Sequence, residues 1–213
     1  MPQELLSLAG FAFAASITPG PNNLMLMASG TNFGFRRTLP HLSGVALGFA
    51  LMLILVGVGL GELFERYPVV AETLRLVCLA YLLYLAWRLA RTGSRTSETD
   101  ATPAADSASD PSGASVASGR PLSFLQAAAF QWVNPKAWAM GLTAMSVYLS
   151  DNALGSVLLV ALVFALVNLP CISSWALLGV NIRRWLHGPR RLRTFNVTMA
   201  VLLVASVLPV MFS

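Results

Sequence analysis

Apolar residues in this chain do not alternate with polar ones. They gather in six blocks, each of roughly the 20 residues that a helix needs to cross a bilayer. The blocks cover residues 5–29, 40–61, 69–90, 121–148, 153–180 and 194–212. Each is apolar on all sides, as expected of a helix surrounded by lipid and other helices. Lipid supplies no water to satisfy open backbone groups, so helices are the expected form. The pattern predicts an all-α polytopic membrane protein with six transmembrane helices. The first block resembles a signal peptide at its small residues 12–16. However, Glu4 precedes it in place of a basic residue, and it stays apolar past Pro21 to about Ser29. It is read as a retained span.

The stretch 92–119 breaks the pattern. It is dominated by Ser, Thr, Ala, Gly, Pro and Asp, with no aromatic residue and one branched aliphatic, Val116. Such a segment cannot bury enough apolar surface to order itself, which predicts a disordered cytoplasmic linker. Three units follow: a three-helix repeat over 1–91, the linker over 92–120, and a second three-helix repeat over 121–213.

Charge then orients the spans. The loops between spans 1 and 2, 3 and 4, and 5 and 6 hold Arg36, Arg37, Arg88, Arg91, Arg95, Arg120, Arg183, Arg184, Arg190, Arg191 and Arg193, most of the 14 basic residues. The opposite loops hold Arg66 with Glu62, Glu65 and Asp151. The positive-inside bias puts the Arg-rich loops in the cytoplasm and both termini outside. Composition agrees: 56% of residues are hydrophobic, 11% are charged, and mean hydropathy is +0.68. The net charge of +5 is therefore a topology signal, and no nucleic-acid partner is expected.

Spans 1 and 4 share an interruption at mid-depth. Span 1 contains Thr18, Pro19, Gly20, Pro21, Asn22 and Asn23; span 4 contains Asn134, Pro135 and Lys136. With Pro19 placed over Pro135, Thr18 and Asn134 each precede a proline. A capping residue before proline is how a helix begins, so each half is expected to own a broken helix. Three spans per half is an odd number, so the second half inserts upside down. Inverted repeats with paired broken helices suit a transporter, with the solute held near the breaks. The plainer alternative is that the prolines only kink their spans.

Lys136 is the one lysine of the chain and falls mid-span. A cation at the bilayer centre costs about 2.5–3.5 kcal/mol and normally faces a cavity or a partner. Beside two helix N-termini it would make an anion site, here one for a substrate carboxylate. The alternative is a structural lysine bonded to carbonyls freed by the breaks. Asn22, Asn23 and Asn134 offer donors and acceptors to a zwitterion, or serve as glue between helices. Asn168 and Pro170 repeat the polar-plus-proline theme in span 5, while Trp175 is read as packing. Glu72 is a candidate for proton coupling, or it pairs with Arg75 on one helix face. Gly44 with Gly48, and Gly57 with Gly61, are small-residue faces for close helix contact. Tyr84 and Trp87 suit an interfacial belt.

These motifs resemble the LysE/RhtB family. The resemblance is carried by Pro19-Gly20-Pro21-Asn22, by Gly34-Phe35-Arg36-Arg37, by the run from Tyr81 to Leu85, and by Asn134-Pro135-Lys136-Ala137-Trp138. It spans the chain outside 92–119. It implies export of amino acids or related small metabolites across the bacterial inner membrane, driven by the proton motive force. Departures are Cys78 and Ala86, where the family commonly has glycine, and the long linker.

Other classes fit less well. A thiol redox conduit needs two cysteines that meet, yet Cys78 and Cys171 fall at non-equivalent places in spans 3 and 5. A membrane hydrolase lacks a nucleophile with base and orienter at depth; His41 and His187 fall at or near span ends. Clustered metal ligands are likewise missing. A channel stays open as an alternative, though it would need rings of polar pore residues, and none is evident. No enzyme activity, cofactor or metal is expected. The partners expected are a small solute and lipid, with a homodimer as the assembly considered.

Overall fold

The computed structural model describes residues 2–60, 66–91, 120–149, 153–186 and 188–206, and all of its regular structure is helical. The linker and the loop residues Gly61, Glu62, Glu65, Asp151 and His187 lie outside the described residues, as do the side chains of Arg75, Cys78 and Arg88. The first apolar block forms two helices, α1 (Pro2–Ile17) and α2 (Pro21–Phe33). The second forms α3 (Phe35–Leu55), which continues into a π-helical turn, Val56–Leu60. The third forms α4 (Pro68–Arg91). The fourth forms α5 (Phe124–Phe130), a 3-10 turn (Gln131–Val133) and α6 (Pro135–Tyr148). The fifth and sixth hold α7 (Leu154–Arg183) and α8 (Pro189–Ala205).

Local chemistry sets these limits. Gly34 takes φ 81°, a conformation open to glycine at little cost, so α3 can start one residue after α2 ends. That start lies five residues ahead of the apolar block, because the polar first turn carries Arg36 and Arg37 into the exposed zone. Helix α5 opens on a capping box. The Ser123 hydroxyl accepts from the Gln126 N–H at 3.3 Å, and the Gln126 side chain accepts from the Ser123 N–H at 3.0 Å.

Packing is tightest between α2 and α7. A Cβ on Gly30 would meet the Ala176 carbonyl, and one on Gly179 would meet that of Met27. Thr31 donates to the Met27 and Gly179 carbonyls at 2.9 Å each. Helix α3 packs against α5 through the predicted pair: Gly44 sits on the Phe124 carbonyl and Gly48 lies where a Cβ would be 2.6 Å from Ala128 Cα. Helix α7 also meets α1 and α3, and α4 meets α8. Two apolar clusters result. One joins α2, α4 and α8 around Leu26, Leu82 and Leu203; the other joins α1, the second half of α3, α6 and the first half of α7 around Met52 and Phe164.

Outward faces are apolar too: Val69 and Leu76 on α4, Leu162 and Leu166 on α7 and Val201 on α8 are all exposed. Such a surface suits a lipid surround. By length and composition, Phe35–Gly59 and Leu154–Arg183 are each able to cross a membrane.

Candidate functional site

The two interruptions meet. Gly20 before α2, and Asn134 and Lys136 at the start of α6, line one partly open cavity together with Ser16, Asn22, Asn23 and Asn168. Phe49, Met140 and Ile172 supply apolar wall, and no acidic side chain among the described residues lines it.

One break differs from the sequence expectation. Thr18 does not cap a helix beginning at Pro19; Gly20 is the N-cap and Pro21 the first helical residue. The reason is the second proline. A helix starting at Pro19 would need Gly20 in the α region, which the residue before a proline avoids. Gly20 is instead extended, at φ −172° and ψ 176°. Pro21, not Pro19, is therefore the counterpart of Pro135. The other break follows expectation: Asn134 accepts from the Lys136 N–H at 3.1 Å, ahead of Pro135 at the first position.

Breaking a helix frees carbonyls at its end, and each needs a donor. The end of α1 finds them on three other helices. Asn23 donates to the Ser16 and Thr18 carbonyls at 2.8 Å each. Trp175 donates from Nε1 to the Ile17 carbonyl at 3.1 Å. Lys136 Nζ donates to the Thr18 carbonyl at 2.7 Å and to Thr18 Oγ1 at 2.9 Å, with a long contact of 3.5 Å to the Pro19 carbonyl. The negative end of the α1 dipole faces the ammonium, which offsets its placement at the positive start of α6. Gly20 makes room for it: a Cβ there would sit 2.6 Å from Lys136 Cδ.

Opposite this cap, Asn22 pairs with Gln131, its Nδ2 donating to Oε1 at 2.8 Å and its Oδ1 accepting from Nε2 at 3.3 Å. Gln131 is fully buried and donates also to the Ala127 carbonyl. This residue escaped the sequence reading, although a glutamine four positions before Pro135 in an apolar run was its signal. Ser16, also missed, is buried on the cavity wall, and its hydroxyl has no hydrogen-bond partner among the described residues. Gly20, the N-cap of α2, has no side chain to cap its first turn. Trp175 packs against the core as expected, and its indole N–H serves in addition as a carbonyl donor. Glu72 is exposed on α4 and lines neither this cavity nor the one around His41. Cys171 is buried and free.

Comparison with known proteins places this geometry in a family. The family model described as LysE type translocator matches residues 13–210. A cysteine/O-acetylserine efflux protein of Salmonella typhimurium strain LT2 is 29% identical over 206 residues, covering 95% of each chain. One of Escherichia coli K12 is 27% identical over 205 residues, again covering 95% of each. No solved structure matches the chain. The extent of the family match leaves the redox-conduit and hydrolase readings without support. The chain belongs to the LysE type translocator family of membrane transporters and is not an enzyme.

Proposed function

We propose that this chain exports small neutral amino acids from the bacterial cytoplasm across the inner membrane, using the proton motive force, with the solute held where the two helices break. The observation that carries this reading is the cavity shared by both breaks. It combines one ammonium, the first turn of α2, and two buried polar side chains, Ser16 and Asn168, of which the Ser16 hydroxyl has no hydrogen-bond partner among the described residues. A carboxylate fits between Lys136 and the free N–H groups of α2. Ser16 Oγ and the Asn168 amide suit the amino group and a polar side chain. With no acid in the lining, a cationic side chain finds no counter-charge, which favours neutral solutes. The relatives' names, cysteine and O-acetylserine exporters, point the same way.

In this proposal Lys136 has two jobs. It bonds the end of α1, and it presents its remaining donor capacity to the solute. Thr18, Pro19, Gly20, Pro21, Asn22, Asn23, Asn134 and Pro135 build the berth around it. The frame is six spans in two inverted halves, 1–91 and 121–213, joined by the cytoplasmic linker 92–120, with both termini outside. The packing supports such a pseudo-two-fold: α3 on α5 is answered by α7 on α1, α3 pairs with α7, and α4 pairs with α8. Alternating access then rocks one half on the other about the cavity.

The test is export from cells loaded with cysteine, O-acetylserine, lysine or glutamate, with and without the protein. Faster release of the neutral pair alone supports the reading. Equal release with and without the protein for all four refutes it.

A further inference from the structure

His41 lies six residues into α3 and is only 1% exposed, and neither ring nitrogen has a hydrogen-bond partner among the described residues. An imidazole held for structure normally gives one nitrogen to a carbonyl or carboxylate, and buried polar groups are almost always paired. This one faces a second cavity, walled by Ser29 and Phe33 of α2, Leu85 and Leu89 of α4, and Leu203 of α8. One turn earlier on α3, Thr38 shares a hydrogen bond of 2.9 Å with Ser29.

The second cavity connects logically to the first. Asn22, Met25 and Ser29 follow one another at three- and four-residue spacing, so they form one stripe of α2. Asn22 lines the solute cavity, and Met25 and Ser29 line that of His41. Among the described residues, charged groups on the elements around His41 are few; the Arg88 side chain of α4 lies outside them. On α2 there are none; on α3, Arg36 and Arg37 are exposed. Before α5, Arg120 is exposed; on α4, Arg91 is exposed and sits 4.2 Å over the Trp87 ring. From α8 the cavity receives Leu203. No described acid shares the cavity, so a proton on His41 is governed by hydration and by the state of the bundle.

We propose that His41 is the proton-carrying group of this transporter, in place of the exposed Glu72. A ring nitrogen takes up one proton in one arrangement of the halves and releases that proton to the cytoplasm in the other. The solute occupies the Lys136 cavity, so cargo and proton use separate sites joined by one face of α2. This inference rests on proton-coupled export of an amino acid.

The experiment uses the full chain in proteoliposomes with radiolabelled cysteine and two readouts, solute exchange at equal pH and net flux under an imposed pH gradient. His41→Gln is expected to keep exchange at the wild-type rate and to lose acceleration by the gradient. Retained acceleration overturns the proposal. Loss of exchange in a variant that stays monodisperse also overturns it, placing His41 in the solute path. A wild type that exchanges no amino acid refutes instead the function on which the inference rests. An independent readout is nitrogen NMR of histidine-labelled wild type, assigned by His187→Gln. His41 is expected to change protonation with pH and to shift when cysteine is added. A ring that stays neutral throughout overturns the proposal even if His41→Gln fails to fold.

Discussion

The Lys136 ammonium, at the second position of α6, lies 2.7 Å from the Thr18 carbonyl just past the end of α1. One cation thus closes the broken end of a helix from the other half of the chain. The same carbonyl also accepts from Asn23 at 2.8 Å, and Asn23 alone serves Ser16. The two residues should therefore separate in their effects. Asn23→Ala orphans the Ser16 carbonyl and is expected to destabilise by about 1–3 kcal/mol. Lys136→Met leaves Thr18 bonded and removes a half-buried charge, so its stability should stay within about 1 kcal/mol of wild type. Thermal unfolding in detergent reads both, and a larger loss for Lys136→Met would overturn this accounting.

Gly20 is extended, which any residue can adopt, so its importance is the space above its Cα. Gly20→Ala puts a methyl 2.6 Å from Lys136 Cδ and should push the ammonium off Thr18. The expected outcome is a fold within about 1 kcal/mol of wild type with sharply reduced export. Paired melting and export measurements check it.

Helix approach predicts a contrast among glycines. Gly30→Ala and Gly179→Ala each drive a methyl into a carbonyl of the facing helix and should cost about 1–3 kcal/mol or more. Gly155, also helical, has nothing within 4 Å of an added Cβ. Gly155→Ala should be neutral, or stabilising by up to about 1 kcal/mol through helix propensity. Comparing midpoints of the three variants decides.

The Asn22–Gln131 amide pair joins the two halves across the breaks. A double-mutant cycle with Asn22→Ala and Gln131→Ala should give a coupling of about 0.6–1.7 kcal/mol, the range found for polar pairs between membrane helices. A coupling near zero would mean the pair holds nothing together.

Much of this was legible in the sequence. The all-helical class, the Gly44 and Gly48 contact face, and the proline breaks follow from local rules that act on neighbouring residues. The sequence reading put the first break at Pro19 and missed Pro21, although Gly20 trapped between two prolines was the signal. The donors to the α1 end were not legible. Trp175 reaches Ile17 from 158 positions away, and no periodicity records such a pairing. Ser16 and His41 stand out only through missing partners, and burial of that kind is a property of the folded bundle.

The central claim is that Lys136 and the start of α2 hold a substrate carboxylate. The most direct measurement is inhibition of labelled cysteine exchange in proteoliposomes by unlabelled cysteine, its carboxamide and its decarboxylated amine, for wild type and Lys136→Met. The account predicts that only cysteine competes in the wild type and that Lys136→Met loses exchange. Equal competition by all three, or full exchange by Lys136→Met, would contradict it.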